Sequence, residues 1–276
     1  MLFIVVRFLK MSKYYDRIFK IGKTEKRIYE KLESDGFVYF VLVDPEKPGD
    51  LVSLSKIAQE LGVTAIMVGG STAQLSLDYE EVISKIKHES SIPVIIFPSG
   101  TASIARGADA IWFMSLLNSD DLFYVIGAQY LGIGAIRSLR LEPIPLAYIV
   151  VGYGGTVGFV GRARPIPYER PELAAGYAMA AEALGFRFVY FEGGSGAPRH
   201  IPPEFISYVR RFVSIPIIVG GGITNGAVAK ELIAAGADGI VTGNVLEGYS
   251  QIKDKILDIM QGCKEGAKDK LKKINK

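Results

Sequence analysis

Short apolar runs alternate with amphipathic stretches along almost the whole chain. Residues 37–43, 64–68, 93–97, 110–113, 146–151, 186–191, 215–219 and 239–242 read as eight strands. They are continuous apolar runs rather than strict alternations, as parallel strands covered on both faces by helices read. Helices are predicted around 16–34 and over 51–61, 78–88, 121–131, 171–184, 202–212, 225–235 and 249–260, with a long glycine-rich loop over 152–167. One interval breaks the rhythm. Only residues 98–107, rich in Gly, Ser and Ala, separate strands 3 and 4, too few for a crossover helix. The third outer helix is therefore predicted to be missing or reduced to a turn, which opens the side of the molecule to something long and apolar. The alternation is that of an α/β fold. Glycine-rich loops after both strand 7 and strand 8 favour a modified (β/α)8 TIM barrel over an open doubly wound sheet.

Size agrees with one barrel: 276 residues, 49% of them hydrophobic, suit a single core of roughly 250 residues. The expected division is an N-terminal extension and helix over 1–36, the barrel over 37–262 and a lysine-rich tail over 263–276. The first nine residues are apolar apart from Arg7. They are too short to span a bilayer and lack the cleavage site of a signal peptide. Met11 offers a second translation start. Cys263 is the only cysteine, which rules out internal disulfides and cysteine-based zinc sites and points to a reducing, cytoplasmic setting. The net charge of +3 is spread along the chain except at the tail, so no nucleic-acid partner is expected and any membrane contact would be peripheral.

Three successive strand ends carry glycine clusters: Phe191-Glu192-Gly193-Gly194-Ser195-Gly196, Gly220-Gly221-Gly222 and Gly243-Asn244. Adjacent glycines expose backbone N–H groups, and a following helix adds its positive end, so a phosphate dianion can be held without Lys or Arg. One such loop is weak, because turns need glycine anyway; three in succession on a barrel point to a phosphate.

Asp44 ends strand 1 in Val43-Asp44-Pro45-Glu46-Lys47. A carboxylate there can hold Mg2+ bridging to substrate phosphates, or serve as an Asx turn before Pro45. Ser71, after Gly69-Gly70, can add a hydroxyl oxygen or cap a helix. Glu192 points into the glycine cluster, where a carboxylate is costly beside phosphate unless it has another partner. It can orient a substrate hydroxyl and take its proton, or pair with Arg199 or Arg187. Tyr190 is expected on the same face. Neither His88 nor His200 has an obvious Ser or Cys partner, so no hydrolase triad is present.

With these motifs in view, the chain resembles the geranylgeranylglyceryl phosphate synthase family and the related bacterial heptaprenylglyceryl phosphate synthases from about Phe37 onward. The matching segments are Leu42-Val43-Asp44-Pro45-Glu46-Lys47, Val68-Gly69-Gly70-Ser71-Thr72, Tyr190-Phe191-Glu192-Gly193-Gly194-Ser195-Gly196, Val219-Gly220-Gly221-Gly222-Ile223 and Val241-Thr242-Gly243-Asn244. The resemblance implies a barrel lacking its third helix and a prenyltransferase of archaeal membrane phospholipid synthesis. Such an enzyme forms the ether bond between sn-glycerol 1-phosphate and geranylgeranyl diphosphate. It implies Mg2+ on Asp44 and Ser71, and glycerol phosphate held by residues 190–196, Gly221, Gly222, Gly243 and Asn244. Glu192 is expected as the base, Ile96, Trp112 and Phe113 are candidates for the prenyl groove, and a homo-oligomer is expected. A phosphosugar isomerase or Schiff-base aldolase barrel, and a non-catalytic phosphometabolite-binding protein, are the alternatives.

Overall fold

The computed structural model describes residues 21–46, 49–70, 79–243 and 251–274. Eight parallel strands close into a barrel in sequence order: β1 (Val38–Val43), β2 (Ala65–Val68), β3 (Val94–Ile96), β4 (Ala110–Leu116), β5 (Glu142–Val150), β6 (Phe188–Glu192), β7 (Ile217–Gly220) and β8 (Gly239–Thr242). Closure runs through β1 and β8, which pair from Val38↔Gly239 to Val41↔Thr242. Nine α-helices are described: α1 (Lys23–Asp35), α2 (Leu51–Leu61), α3 (Tyr79–Glu89), α4 (Ala128–Ser138), α5 (Gly155–Val160), α6 (Pro171–Ala183), α7 (Pro203–Arg210), α8 (Gly226–Ala235) and α9 (Ile252–Ile274).

Apolar side chains divide between two layers because successive strand residues face opposite ways. Val41, Val43, Ile66, Ile96, Ile149 and Phe191 face the helices, while Phe40, Met67, Ile95, Trp112, Tyr148 and Tyr190 fill the barrel. Helix α1 closes the barrel floor with Ile28, Tyr29 and Leu32. Glu142 anchors that plug by accepting from the N–H groups of Thr24 (2.8 Å) and Glu25 (2.9 Å), two donors the first turn of a helix leaves unsatisfied. The buried Glu25 carboxylate pairs with Arg187.

The expected gap is present: a single 3-10 turn, Thr101–Ser103, stands where the third outer helix would be. Several boundaries differ from the sequence reading. Strand β4 runs three residues beyond Phe113, to Leu116. Strand β5 begins at Glu142 rather than Leu146, carrying Pro143 and Pro145, which lie alongside Ile111 and Phe113 of β4. Their missing N–H groups do no harm, since β6 pairs with β5 only from Leu146 onward. The glycine-rich loop contains the short helix α5, whose composition (GTVGFV) gives weak helix propensity and hides it from pattern reading. The segment after β4 opens with a π-helical turn, Phe123–Gly127, before α4. Helix α9 does not stop at Met260 but continues to Ile274, burying Cys263 and Ala267 among the core residues.

Candidate functional site

The strands end around one cleft. Its upper part is bordered by Asp44, Gly69, Gly70, Glu192, Ser195, Gly196, Gly221, Gly222 and Gly243. From there it passes between Trp112, Phe113 and Met114 toward Ile104, Gly132 and Ile136, the side left open by the absent third helix. The cavity holds about 290 Å3. A polar lip thus continues into an apolar channel, as expected for a ligand with an anionic head and a hydrocarbon tail.

The lip is shaped by backbone. Gly194, Gly196, Gly221 and Gly222 have φ of 102°, 69°, 89° and 70°, a region L side chains rarely occupy. The loops after β5, β6 and β7 also interlock. The Gly193 N–H donates to the Gly220 carbonyl (2.9 Å), and the Gly154 N–H donates to the Gly193 carbonyl (3.2 Å). A Cβ on Gly194 would lie 2.8 Å from the Gly155 nitrogen.

Glu192 is the last residue of β6 and is 8% exposed. Its Oε1 accepts from the Gly194 N–H (2.6 Å) and its Oε2 from the Tyr148 hydroxyl (3.2 Å). Tyr190 also hydrogen-bonds it. Burial pushes its carboxyl above the ordinary carboxylate range, and these three donors partly offset that shift. The salt bridges considered as its alternative partners do not form. Arg187 holds Glu25, and Arg199 lies over the Tyr168 ring (4.7 Å), with Glu169 at 3.5 Å. A carboxylate of raised pKa, immobilised at the lip of an apolar channel, is well placed to accept a proton.

Asp44 borders the same lip. Its Oδ1 accepts from the Glu46 N–H (3.0 Å), so the Asx-turn reading holds, and a Cβ on Gly70 would lie 2.9 Å from that oxygen. The Asx turn does not consume the carboxylate, which still faces the cleft. No group of three His, Cys, Asp or Glu gathers among the described residues. A Mg2+ ion there would rest on Asp44 and on substrate phosphate oxygens, which suits a cation that uses one or two carboxylates and keeps its waters. Ser71 and Asn244 lie outside the described residues.

A family model described as the PcrB family matches residues 29–263. The chain belongs to this family. Geranylgeranylglyceryl phosphate synthase of Pyrococcus horikoshii is 50% identical over 237 residues, covering 85% of this chain and 93% of that protein. The enzyme of the same name from Pyrococcus abyssi is 48% identical over 250 residues, covering 89% and 99%. A crystal structure of (S)-3-O-geranylgeranylglyceryl phosphate synthase from Thermoplasma acidophilum, in complex with its substrate sn-glycerol-1-phosphate, matches with a TM-score of 0.82 at 40% identity. That match covers 89% of this chain and 99% of the other.

In this PcrB-family chain the structure brings together Asp44, Tyr190, Glu192, Ser195, Gly196, Gly221, Gly222 and Gly243 around one cleft. Phe191 faces the helix layer, stacking edge-on against Phe205 (5.8 Å), so it supports the loop rather than lining the site. Ile96 likewise points outward. Trp112 is both core and wall: it packs edge-to-face on Phe40 and Phe188 inside the barrel while bordering the cleft. Sequence reading missed Tyr148 and Phe97, which form a tight aromatic trio with Tyr190, ring centroids 5.2–5.6 Å apart. Their signal is the barrel register, in which Tyr148 lies directly beside Tyr190. A strand boundary alone does not reveal it.

Because the Tyr148 hydroxyl donates to Glu192, it favours the ionised carboxylate. Tyr148→Phe is expected to raise the Glu192 pKa further and move the acid limb of the kcat/KM profile to higher pH. An acid limb that stays in place while the variant remains folded would remove Tyr148 from any role in setting the charge of Glu192.

Proposed function

We propose that this chain joins sn-glycerol 1-phosphate to geranylgeranyl diphosphate through an ether bond and releases diphosphate. The carrying observation is Glu192: a buried carboxylate pinned by Gly194 and Tyr148 where the glycine lip meets the apolar channel. The near relatives in the family carry the name of this activity. A Schiff-base aldolase would need a strand lysine, and none of the eight strands holds one.

The backbone N–H groups of residues 195–196 and 221–222 would bind the glycerol phosphate dianion, while those of Gly193 and Gly194 hold the Gly220 carbonyl and Glu192. Held there, its free primary hydroxyl lies beside the Glu192 carboxylate, with the allylic carbon of the prenyl group presented from the channel. The new C–O bond forms as the bond from the allylic carbon to diphosphate breaks. The hydroxyl proton passes to Glu192, and diphosphate leaves with the bonding electron pair. Fixing the two partners in one cleft removes much of the entropic barrier. Asp44, with Ser71, would hold Mg2+, which supplies charge neutralisation to the diphosphate.

The test is incubation of the protein with Mg2+, each labelled glycerol phosphate enantiomer and geranylgeranyl diphosphate, followed by organic extraction. Strong preference for sn-glycerol 1-phosphate is expected, because the lip and Glu192 are rigidly spaced and meet one arrangement of hydroxyl and phosphate. Equal efficiency with both enantiomers would sink the reading. Asp44→Asn is expected to lower turnover about a hundredfold, the scale of several kcal/mol of metal stabilisation, with glycerol phosphate affinity retained. Full activity of that variant at limiting Mg2+ would remove Asp44 from the metal site.

A further inference from the structure

The wall of the apolar channel beside the absent third helix contains one residue too many for an α-helix. In the π-helical turn Phe123–Gly127 the Ala128 N–H donates to the Phe123 carbonyl, five residues back rather than four. The start of the turn is fixed by Asp121. Its Oδ1 accepts from the Phe123 N–H (2.9 Å) and its carbonyl from the Tyr124 N–H (3.0 Å).

Two side chains hold the register further along. In an α-helix the Tyr124 carbonyl would take the Ala128 N–H, and the Val125 carbonyl the Gln129 N–H. Here Gln129 Nε2 donates to the Tyr124 carbonyl (3.2 Å) and Ser115 Oγ to the Val125 carbonyl (2.6 Å). Each side chain therefore sits on a carbonyl that the α-register would claim. Gln129 Nε2 also donates to the Met114 carbonyl. Strand β4 pairs with β3 only at Ala110 and Ile111, and its Leu117 N–H donates toward β5. By alternation the Met114 carbonyl lies on the opposite, bare edge, which a longer β3 would have covered. Gln129 thus ties the turn to that edge. Its Oε1 is buried without a hydrogen-bond partner among the described residues, a cost that an apolar residue of the same size would avoid.

The register decides which side chains the channel meets. Tyr124, Gln129 and Met114 border the cleft, with Gly132 further along α4. A slip of one residue would turn the segment before Ala128 by about 100° around the helix axis. That would withdraw the Tyr124 ring and bring a neighbouring side chain to the wall.

We propose that Gln129 and Ser115 are positioning residues for the prenyl donor, holding the π-register so that a long chain meets a formed channel wall. The inference deepens the prenyltransferase reading and rests on it for the identity of the ligand. The register itself rests on the hydrogen bonds.

The test uses Gln129→Leu, which keeps the bulk and loses both donors, and Ser115→Ala, which loses one donor outside the cleft lining. When a binding-competent register falls to a tenth of the population, apparent affinity falls by the same factor. Gln129→Leu is therefore expected to raise the KM for geranylgeranyl diphosphate about tenfold, the scale of a lost hydrogen bond that leaves a buried carbonyl behind. Ser115→Ala should raise it by about threefold, the lower end of that scale. The saturated kcat and the KM for glycerol phosphate should move far less, and the effect should shrink with geranyl diphosphate, which fills less of the channel. Amide hydrogen exchange over residues 123–129 should quicken in both variants while the strands keep their protection. Exchange that stays slow means that these side chains do not hold the register, and the proposal falls. Quickened exchange with an unmoved KM for geranylgeranyl diphosphate, or an equal loss of kcat with every prenyl donor, overturns the positioning role. Absence of ether product from the unaltered protein would instead overturn the prenyltransferase reading, and hydrogen exchange would still decide whether the two side chains hold the register.

Discussion

Glu192→Gln is expected to slow the single-turnover rate at saturating substrates by about two to four orders of magnitude, the usual worth of a positioned proton transfer. Gln retains the size of the side chain; its amide oxygen can still accept from the Gly194 N–H while its NH2 donates to the Tyr148 hydroxyl oxygen, so the loop geometry should survive. What it loses is the ability to take a proton. Glycerol phosphate affinity, measured separately by calorimetry, should change far less than the rate. Collapse of affinity with an unchanged saturated rate would make Glu192 a binding residue and end its assignment as base. The departing diphosphate places positive character on the allylic carbon, which lowers the demand on the base, so the lower end of that range is the closer expectation.

The same variant has a second readout in stability. Burial raises the Glu192 pKa in the folded protein above its unfolded value. Between those values the folded state binds more protons than the unfolded one, so stability falls as pH rises through that window. Above it the full cost of a buried charge is present. Glu192→Gln should therefore unfold at a higher temperature than the parent near pH 8. The advantage should vanish below about pH 4, the ordinary glutamate range, where both side chains are neutral. A variant no more stable at pH 8 would mean that its three donors already compensate the burial of Glu192.

How far the site was legible in the sequence depends on what each residue's signal consists of. The strands and the missing third helix were readable because burial on both faces writes a local record: a continuous apolar run, and ten residues, 98–107, where a helix would need more. The lip was readable because φ above zero demands glycine, and Gly194, Gly196, Gly221 and Gly222 adopt it. Helix α5 was not, since Gly155–Val160 has weak propensity and is stabilised by its contacts with neighbouring loops. Tyr148 was not, because its partnership with Glu192 joins residues 44 positions apart and exists only in the closed register of β5 and β6. The extent of β5 was misread because two prolines argue against a strand unless one knows that its second neighbour starts later. Pairing partners, more than element type, are what a single sequence conceals.

The interlocked loops give the last expected result, for Gly221→Ala. Gly221 has φ of 89°, and a Cβ there would stand 2.8 Å from the Gly194 nitrogen, 2.9 Å from Glu192 Oε1 and 3.0 Å from the Gly193 carbonyl carbon. Two of those three neighbours are backbone, so no side-chain rotation relieves the contact. The loop after β6 must move, taking with it the N–H groups proposed to hold phosphate and the Gly194 donor that fixes Glu192. Glycerol phosphate affinity should fall by about a hundredfold, the loss of two charge-assisted hydrogen bonds. Strand pairing lies below the lip, so cooperative unfolding and the circular dichroism spectrum should persist. Gly196→Ala separates strain from collision: its φ of 69° is also unfavourable for alanine, yet nothing lies within 4 Å of the added methyl. That variant bears only a backbone penalty of about 1–3 kcal/mol, expressed mainly as lost stability, and its phosphate affinity should fall much less. If the two variants bind glycerol phosphate equally well, backbone interlocking between the β6 and β7 loops does not shape the binding site, and the phosphate must be held elsewhere on the lip.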